Sequence, residues 1–261
     1  MSENTMAPIV VTGDSYDRFM GRYSPLLAEP FARWAGATPG TSALDAGCGT
    51  GALTAFLFDI LGYGKVDAFD PSEAFVDACR KLLPGVDIRV GSLENVPFSG
   101  PYDLALAQLV LGLVNDPLPG VWAMQRVVRT GGRVAVNVWD SEGMSLLRHF
   151  ADSCAAVAPG VPPTVKTLPL GQAGELLALF TEAGLAEPRE IVLSVSSRYG
   201  GFDELWAGFG SGMGPASTYL ATLDAAAHAA VRHELFGRLG SPEGNITLDA
   251  AARCCRGTVE R

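Results

Sequence analysis

The sequence predicts an α/β fold in which a mostly parallel sheet carries helices on both faces. Three observations point to it. Short apolar runs alternate with amphipathic stretches between residues 24 and 140, the rhythm of strand–helix–strand units. The segment Ala43-Leu-Asp-Ala-Gly-Cys-Gly-Thr-Gly51 closes an apolar run with an acid, turns on three glycines and passes at once into the helical pattern Ala52–Leu57. Hydrophobic residues make up 48% of the 261 and charged ones only 18%, enough apolar material for a large core and too little charge for a disordered chain.

The elements follow in order. Pro25-Leu-Leu-Ala-Glu-Pro-Phe-Ala-Arg-Trp-Ala35 lies in an amphipathic helix over 24–35, within an N-terminal helical segment, 1–40. A strand over 42–46 runs into the glycine turn and a helix over 50–61. Glycine permits the sharp turn and removes the Cβ atoms that would keep a ligand from the backbone. Free N–H groups at the helix start favour polar or anionic ligand atoms. The next strand, 65–70, ends in Asp70, and Pro71-Ser72-Glu73 opens a helix over 72–83. Asp70 can therefore accept the hydroxyls of a ribose, serve as a helix N-terminal acid, or do both. Strands are expected at 86–91 and 102–108. A helix over 116–130 stops at Gly131, and a fifth strand covers 133–139. Helices over 145–157 and 173–183, the second stopped by Gly184, precede a sixth strand at 189–197, and a seventh falls at 245–255. Residues 199–241 between these two strands hold glycine-rich turns and helical stretches where a short hairpin would suffice, so a helical cap is inserted there. Asp45, Asp70, Ser92 and Gln108 all fall at strand carboxyl ends, where such sheets bind ligands.

The glycine spacing alone leaves the ligand open, because Gly47-x-Gly49-x-x-Ala52 also satisfies the dinucleotide fingerprint. The wider pattern narrows it. Leu44-Asp-Ala-Gly-Cys-Gly-Thr-Gly51, Asp70 with Pro71-Ser72, Val90-Gly-Ser-Leu-Glu-Asn-Val-Pro-Phe98, Tyr102-Asp-Leu-Ala-Leu-Ala-Gln108 and Val127-Val-Arg-Thr-Gly-Gly-Arg-Val-Ala-Val136 occur in register. Together they resemble the class I S-adenosylmethionine-dependent methyltransferases. Tyr16-Asp-Arg-Phe-Met-Gly-Arg-Tyr-Ser24 resembles the segment before the core in the small-molecule branch of that family. The resemblance implies a Rossmann-like, doubly wound, seven-stranded sheet with an antiparallel last strand, in one domain over 1–261. It also implies S-adenosyl-L-methionine as cofactor and S-adenosyl-L-homocysteine as product. The residues it places around the cofactor are Tyr16, Arg22, Asp45, Gly47, Cys48, Gly49, Asp70, Pro71, Ser92, Leu93 and Gln108. Arg22 would pair with the cofactor's carboxylate and the Leu93 N–H would meet the adenine ring. Ser92 departs from the pattern, since many members carry an acid there; its neutral hydroxyl makes a weaker bond to the adenine amino group. The cap would overhang the transferred methyl, with Trp139, Trp206, Phe209 and Met213 against a small apolar or aromatic acceptor.

No sharp catalytic constellation accompanies the glycine turn. The three histidines are His149, His228 and His233, and none joins a cysteine or second histidine at metal-ligand spacing, so no metal is expected. His149, just after the fifth strand, is the candidate general base. Methyl transfer from a sulfonium can proceed largely by alignment. A net charge of −9 argues against nucleic-acid partners. No apolar run approaches the roughly 18 residues of a membrane span, and the N-terminus lacks the pattern of a secretory signal. Five cysteines without paired spacing suit reduced thiols, a cytoplasmic location and, for Cys48, packing under the turn. A monomer or homodimer is expected. Two other readings stay open: a protein of this fold that binds S-adenosylmethionine without transferring methyl, and a nicotinamide-dependent reductase or nucleotide-binding module.

Overall fold

A computed structural model describes residues 21–157, 160, 167–210 and 214–260. After a 3-10 turn at Gly21–Tyr23 come α1 (Ser24–Ala35), β1 (Ala43–Ala46), α2 (Ala52–Leu61), β2 (Val66–Asp70), α3 (Glu73–Leu82), β3 (Asp87–Val90) and β4 (Tyr102–Gln108). They are followed by α4 (Leu118–Arg126), β5 (Val128–Trp139), α5 (Ser145–Val157), α6 (Glu175–Glu182) and β6 (Ala186–Tyr199). Three helices, α7 (Phe202–Phe209), α8 (Gly214–Leu220) and α9 (Ala225–Arg238), lead to β7 (Ile246–Thr258).

The strands form one sheet in the order β3-β2-β1-β4-β5-β7-β6. Neighbours from β3 to β5 are parallel, and β7 is antiparallel to both β5 and β6. The reversal of strand order between β1 and β4 opens the crevice in which doubly wound sheets hold ligands. The expected seven-stranded, mostly parallel sheet with an antiparallel last strand is the observed one.

Both sheet faces are buried. Leu44, Val134, Val136, Phe180 and Cys255 pack on one face with α4 and α6. Leu27, Phe31, Leu53, Leu57, Leu106 and Cys254 pack on the other with α1 and α2. Adjacent Cys254 and Cys255 thus enter opposite cores, as strand alternation requires. A third core joins α5 to the inserted helices through Phe150, Tyr199, Phe202, Leu205, Phe209 and Leu235.

One expected boundary is overturned. The fourth helix ends at Arg126, and Gly131 lies inside β5 with φ +77, not at a helix stop. Val128 already pairs with Tyr102, and Gly131 donates to the Val259 carbonyl at 2.9 Å. These ladder bonds draw the segment into the sheet five residues before the expected start of the strand. The last two strands also extend beyond their expected ends, to Tyr199 and Thr258, because each supplies the other's hydrogen bonds along its whole length.

Candidate cofactor site

The turn after β1 is held by backbone bonds. Gly47 and Cys48 donate to the Phe69 carbonyl at 2.8 and 2.9 Å, and Gly51 donates to the Cys48 carbonyl at 2.9 Å. Gly47 has φ +86 and Gly49 φ +54, a region costly for other residues. The two differ in surroundings. A Cβ at Gly47 would sit 2.5 Å from Val110 Cγ2, whereas one at Gly49 would meet nothing within 4 Å among the described residues. Gly47 is required by packing, and Gly49 faces open space.

Asp70 closes β2 and braces this turn. Its Oδ2 accepts from the Gly49 N–H and its Oδ1 from the Ser72 N–H, each at 2.9 Å. Burial raises its pKa, against the lowering effect of those two bonds. Ser72 caps α3 by accepting from Phe75 N–H at 3.4 Å. Pro71 between them is exposed. Asp45, fully buried at the end of β1, accepts from Thr54 Oγ1 at 2.6 Å on Oδ2. Among the described residues its Oδ1 has no hydrogen-bond partner, and burial pushes its pKa up to about 7.

Two more unpartnered polar atoms stand at neighbouring strand ends. Gln108 Nε2 donates to the Ser24 carbonyl at 3.0 Å while its Oε1 is unpaired. Its register partner Asn137 accepts from Leu109 N–H at 2.9 Å while its Nδ2 is unpaired. Asn137 was missed in the sequence reading. The available signal was a single amide inside Val134-Ala-Val-Asn-Val138.

The remaining expected residues fall into three groups. Ser92 and Leu93 follow β3, whose end is tied to β2 by Gly91 N–H donating to the Asp70 carbonyl at 3.1 Å. Ser92 hydrogen-bonds Glu94 and holds that carboxyl below its usual range. The Leu93 side chain is buried in the core, leaving only its backbone for a ligand. Cys48 is buried under the turn, its pKa driven up by a hydrogen bond with Cys79 and by burial, so it is no nucleophile.

Arg22 and Trp139 form a second group beside the turn at Gly21–Tyr23. Arg22 Nη2 meets Glu204 Oε1 at 2.7 Å, Nη1 donates to the Arg198 carbonyl at 3.1 Å, and the guanidinium lies 4.0 Å over the Tyr199 ring. The carboxylate expected from a cofactor is thus supplied by Glu204, and a cofactor contact would require exchange of that pair. Tyr23 OH lies 3.0 Å from Tyr199 OH, and its ring meets Trp139 edge-on at 5.9 Å.

The third group belongs to the helices. Phe209 is buried and stacks on Phe150 at 4.2 Å. Trp206 is half-buried, edge-on to His228 at 5.2 Å. His149 is half-buried on α5, its carbonyl accepting from Ser153 Oγ at 2.7 Å. Tyr16 and Met213 lie outside the described residues.

The comparisons bear on this geometry. Residues 44–136 match the family model of the methyltransferase domain. The chain is 31% identical over 185 residues to the 2-phytyl-1,4-naphtoquinone methyltransferase of Synechococcus elongatus, covering 62% of this chain and 78% of that one. It belongs to the class I S-adenosylmethionine-dependent methyltransferases. It is also 31% identical over 164 residues to an uncharacterised 37.1 kDa protein of transposon Tn4556 from Streptomyces fradiae, covering 60% of this chain but spanning only 47% of that relative. A solved structure assigned as a type II methyltransferase, from Anaeromyxobacter dehalogenans, shares the fold at a TM-score of 0.65 and 21% identity, over 89% of this chain and 96% of that one.

The site fits the methyltransferase cofactor on its own features. The open space at Gly49 would leave room for the methionine portion against the backbone. The unpaired Asp45 Oδ1 is an acceptor for which an ammonium is a suitable donor. Each Asp70 oxygen keeps a lone pair for a ribose hydroxyl beyond the N–H it already accepts. Among the described residues no cluster of three His, Cys, Asp or Glu side chains could hold a metal ion, and no helix is long and apolar enough to cross a membrane.

Proposed function

We propose that this chain transfers a methyl group from S-adenosyl-L-methionine to a small, apolar or aromatic acceptor, releasing S-adenosyl-L-homocysteine. The observation that carries this reading is the open space at Gly49, whose N–H is held by the Asp70 carboxylate. Asp70 would take the ribose hydroxyls, Asp45 would face the cofactor's ammonium, and Ser92 with the Leu93 N–H would meet the adenine edge. The bound cofactor supplies an already activated methyl on a sulfonium. The chain's own task is then to align the acceptor and exclude water.

The acceptor would lie at the carboxyl edge beneath the inserted helices, 199–241, acting as a cap. Trp139 and Trp206 are half-buried and offer aromatic surface. The ring of Phe209 is taken up by Phe150, so it would shape the cap more than touch an acceptor. His149 would act as base only for an acceptor that must lose a proton. The naphtoquinone relative's name supports an aromatic acceptor class.

The test uses methyl-labelled cofactor with quinone, phenol, polyketide and amine acceptors, alongside thermal shifts with S-adenosylmethionine and NADH. Labelled product and a shift with S-adenosylmethionine alone are expected. Stabilisation by NADH in its place would overturn the reading. Cofactor binding with unlabelled, altered acceptors would favour a non-methylating reaction on the same fold, the alternative that the neutral Ser92 leaves open.

A further inference from the structure

The opposite end of the sheet carries a second polar site. An open cleft of about 150 Å3 is walled by Arg133, Glu187, Arg189, Arg256, Gly257 and Thr258. Three adjacent strands supply these residues in register, with Arg133 opposite Thr258 and Arg189 opposite Arg256. Strand alternation sets the three arginines on the sheet face covered by α1, where Arg256 donates to the Trp34 carbonyl and lies 4.9 Å over the Trp34 ring. Arg133 lies six residues before Trp139 along β5, roughly 20 Å from the carboxyl edge.

Three arginines converging beside a single acid, Glu187, are unexpected in a chain of 28 acidic and 19 basic residues. Other arginines of the fold have carboxylate partners, among them Arg129 with Asp103, Arg22 with Glu204, and Arg253 with both Asp140 and Glu190. Among the described residues no carboxylate forms an ion pair with Arg133, Arg189 or Arg256. Burial first, and then the nearby charges of Arg133 and Arg189, depress the pKa of Arg256. The Trp34 carbonyl occupies one of Arg256's five donors and leaves the rest. The acid in the wall, Glu187, sits at φ +47 and works against an anion.

We propose that this cleft binds a small multivalent oxyanion, a phosphoryl group or a polycarboxylate, held by Arg133, Arg189 and Arg256. Planar guanidinium forks match phosphate and carboxylate oxygens two at a time, and the Thr258 hydroxyl adds a donor. Such a ligand offsets the repulsion and ties β5, β7 and β6 together at the edge away from the methyl-donor turn.

The experiment is calorimetry and thermal denaturation of the full chain with pyrophosphate and, separately, citrate, against sodium chloride at equal ionic strength. Saturable binding with a rise in Tm is expected for at least one oxyanion and not for chloride. Pyrophosphate alone identifies phosphoryl recognition, and citrate alone a carboxylate ligand. Arg189→Ala, an exposed position, should weaken binding about tenfold or more. Glu187→Gln should tighten it severalfold, which no unfolding artefact would mimic. Equal effects from chloride, or wild-type affinity in both variants, would overturn the site. Binding of polyglutamate without either small oxyanion would overturn it in favour of a docking surface for an acidic protein segment.

Discussion

Two aspartates end neighbouring strands, and their surroundings give them different tasks. Asp70 accepts two backbone N–H groups and so holds the glycine turn as well as offering oxygens to a ligand. Asp70→Ala should cost about 2–4 kcal/mol of cofactor binding. It should also cost about 1–3 kcal/mol of stability, because two partly buried donors lose their acceptor. Calorimetry and urea unfolding check both numbers; unchanged cofactor affinity in a folded variant removes Asp70 from the site. Asp45 is buried with one unpaired oxygen and titrates at about 7 in the fold, against 3.8 as its ordinary value. Its raised pKa makes the protonated form favour the folded state. That stabilisation is full below pH ~4 and is lost as pH rises to about 7, by up to roughly 4 kcal/mol. Asp45→Asn should lack this decline, so the stability of wild type relative to the variant should fall on going from acid to neutral pH. An ammonium brought to Oδ1 lowers the pKa, so cofactor binding near neutrality should release protons from wild type and not from the variant. Calorimetry in buffers of different ionisation enthalpy measures that difference.

Element by element, the sequence was most informative where one local rule governs. The α2 start was legible because Gly47, Gly49 and Gly51 allow one kind of turn, and the strand–helix alternation around it left few topologies. It was least informative where a partner distant in sequence decides. The early start of β5 depends on Tyr102 and Val259, and the engagement of Arg22 depends on Glu204, 182 residues away. The inserted helices show the same limit. Their aromatic residues suggested a substrate surface, but spacing alone cannot separate a lid from a core, and Phe209 is stacked inside one. The distinction is measurable. Phe209→Ala removes a fully buried ring and should lower stability by about 3–5 kcal/mol with little selective effect on acceptor KM once folded protein is compared. Trp206→Ala, at a half-buried site, should cost less stability and raise acceptor KM if the ring faces the acceptor. Equal stability losses and unchanged KM in both would make the insertion a packing element and move the acceptor toward Trp139.

At the scale of the whole molecule, one buried ion cluster joins parts that sequence separates widely. Arg253 on β7 donates to Asp140, just past β5, and Arg253 Nη1 meets Glu190 Oε1 on β6 at 2.8 Å. Side-chain exposure is 11% for Arg253, 5% for Asp140 and 9% for Glu190, so none of the three charges has water as an adequate alternative. The carboxylates are also tied to backbone: Asp140 Oδ1 accepts from Glu142 and Gly143 N–H at 3.0 and 2.6 Å, and Glu190 Oε1 from Gly174 N–H at 3.1 Å. The cluster therefore fixes the loop after β5 and the loop before α6 onto the antiparallel end of the sheet, the region from which the inserted helices depart. Removing the cation strands two buried acids, a larger penalty than the net worth of the intact cluster. Arg253→Ala should lose about 3–5 kcal/mol of stability, and Arg253→Lys should recover less than half of it, since an ammonium cannot present two donor edges to two carboxylates. The proposed cofactor contacts lie at the ends of β1, β2 and β3, on the far side of β4 and β5, so cofactor affinity of the folded fraction should stay near wild type. Urea unfolding followed by tryptophan fluorescence, with calorimetry on the same samples, measures the two effects apart. A stability loss below about 1 kcal/mol would mean that the charges are solvated and the cluster does not hold the two halves of the sheet in place.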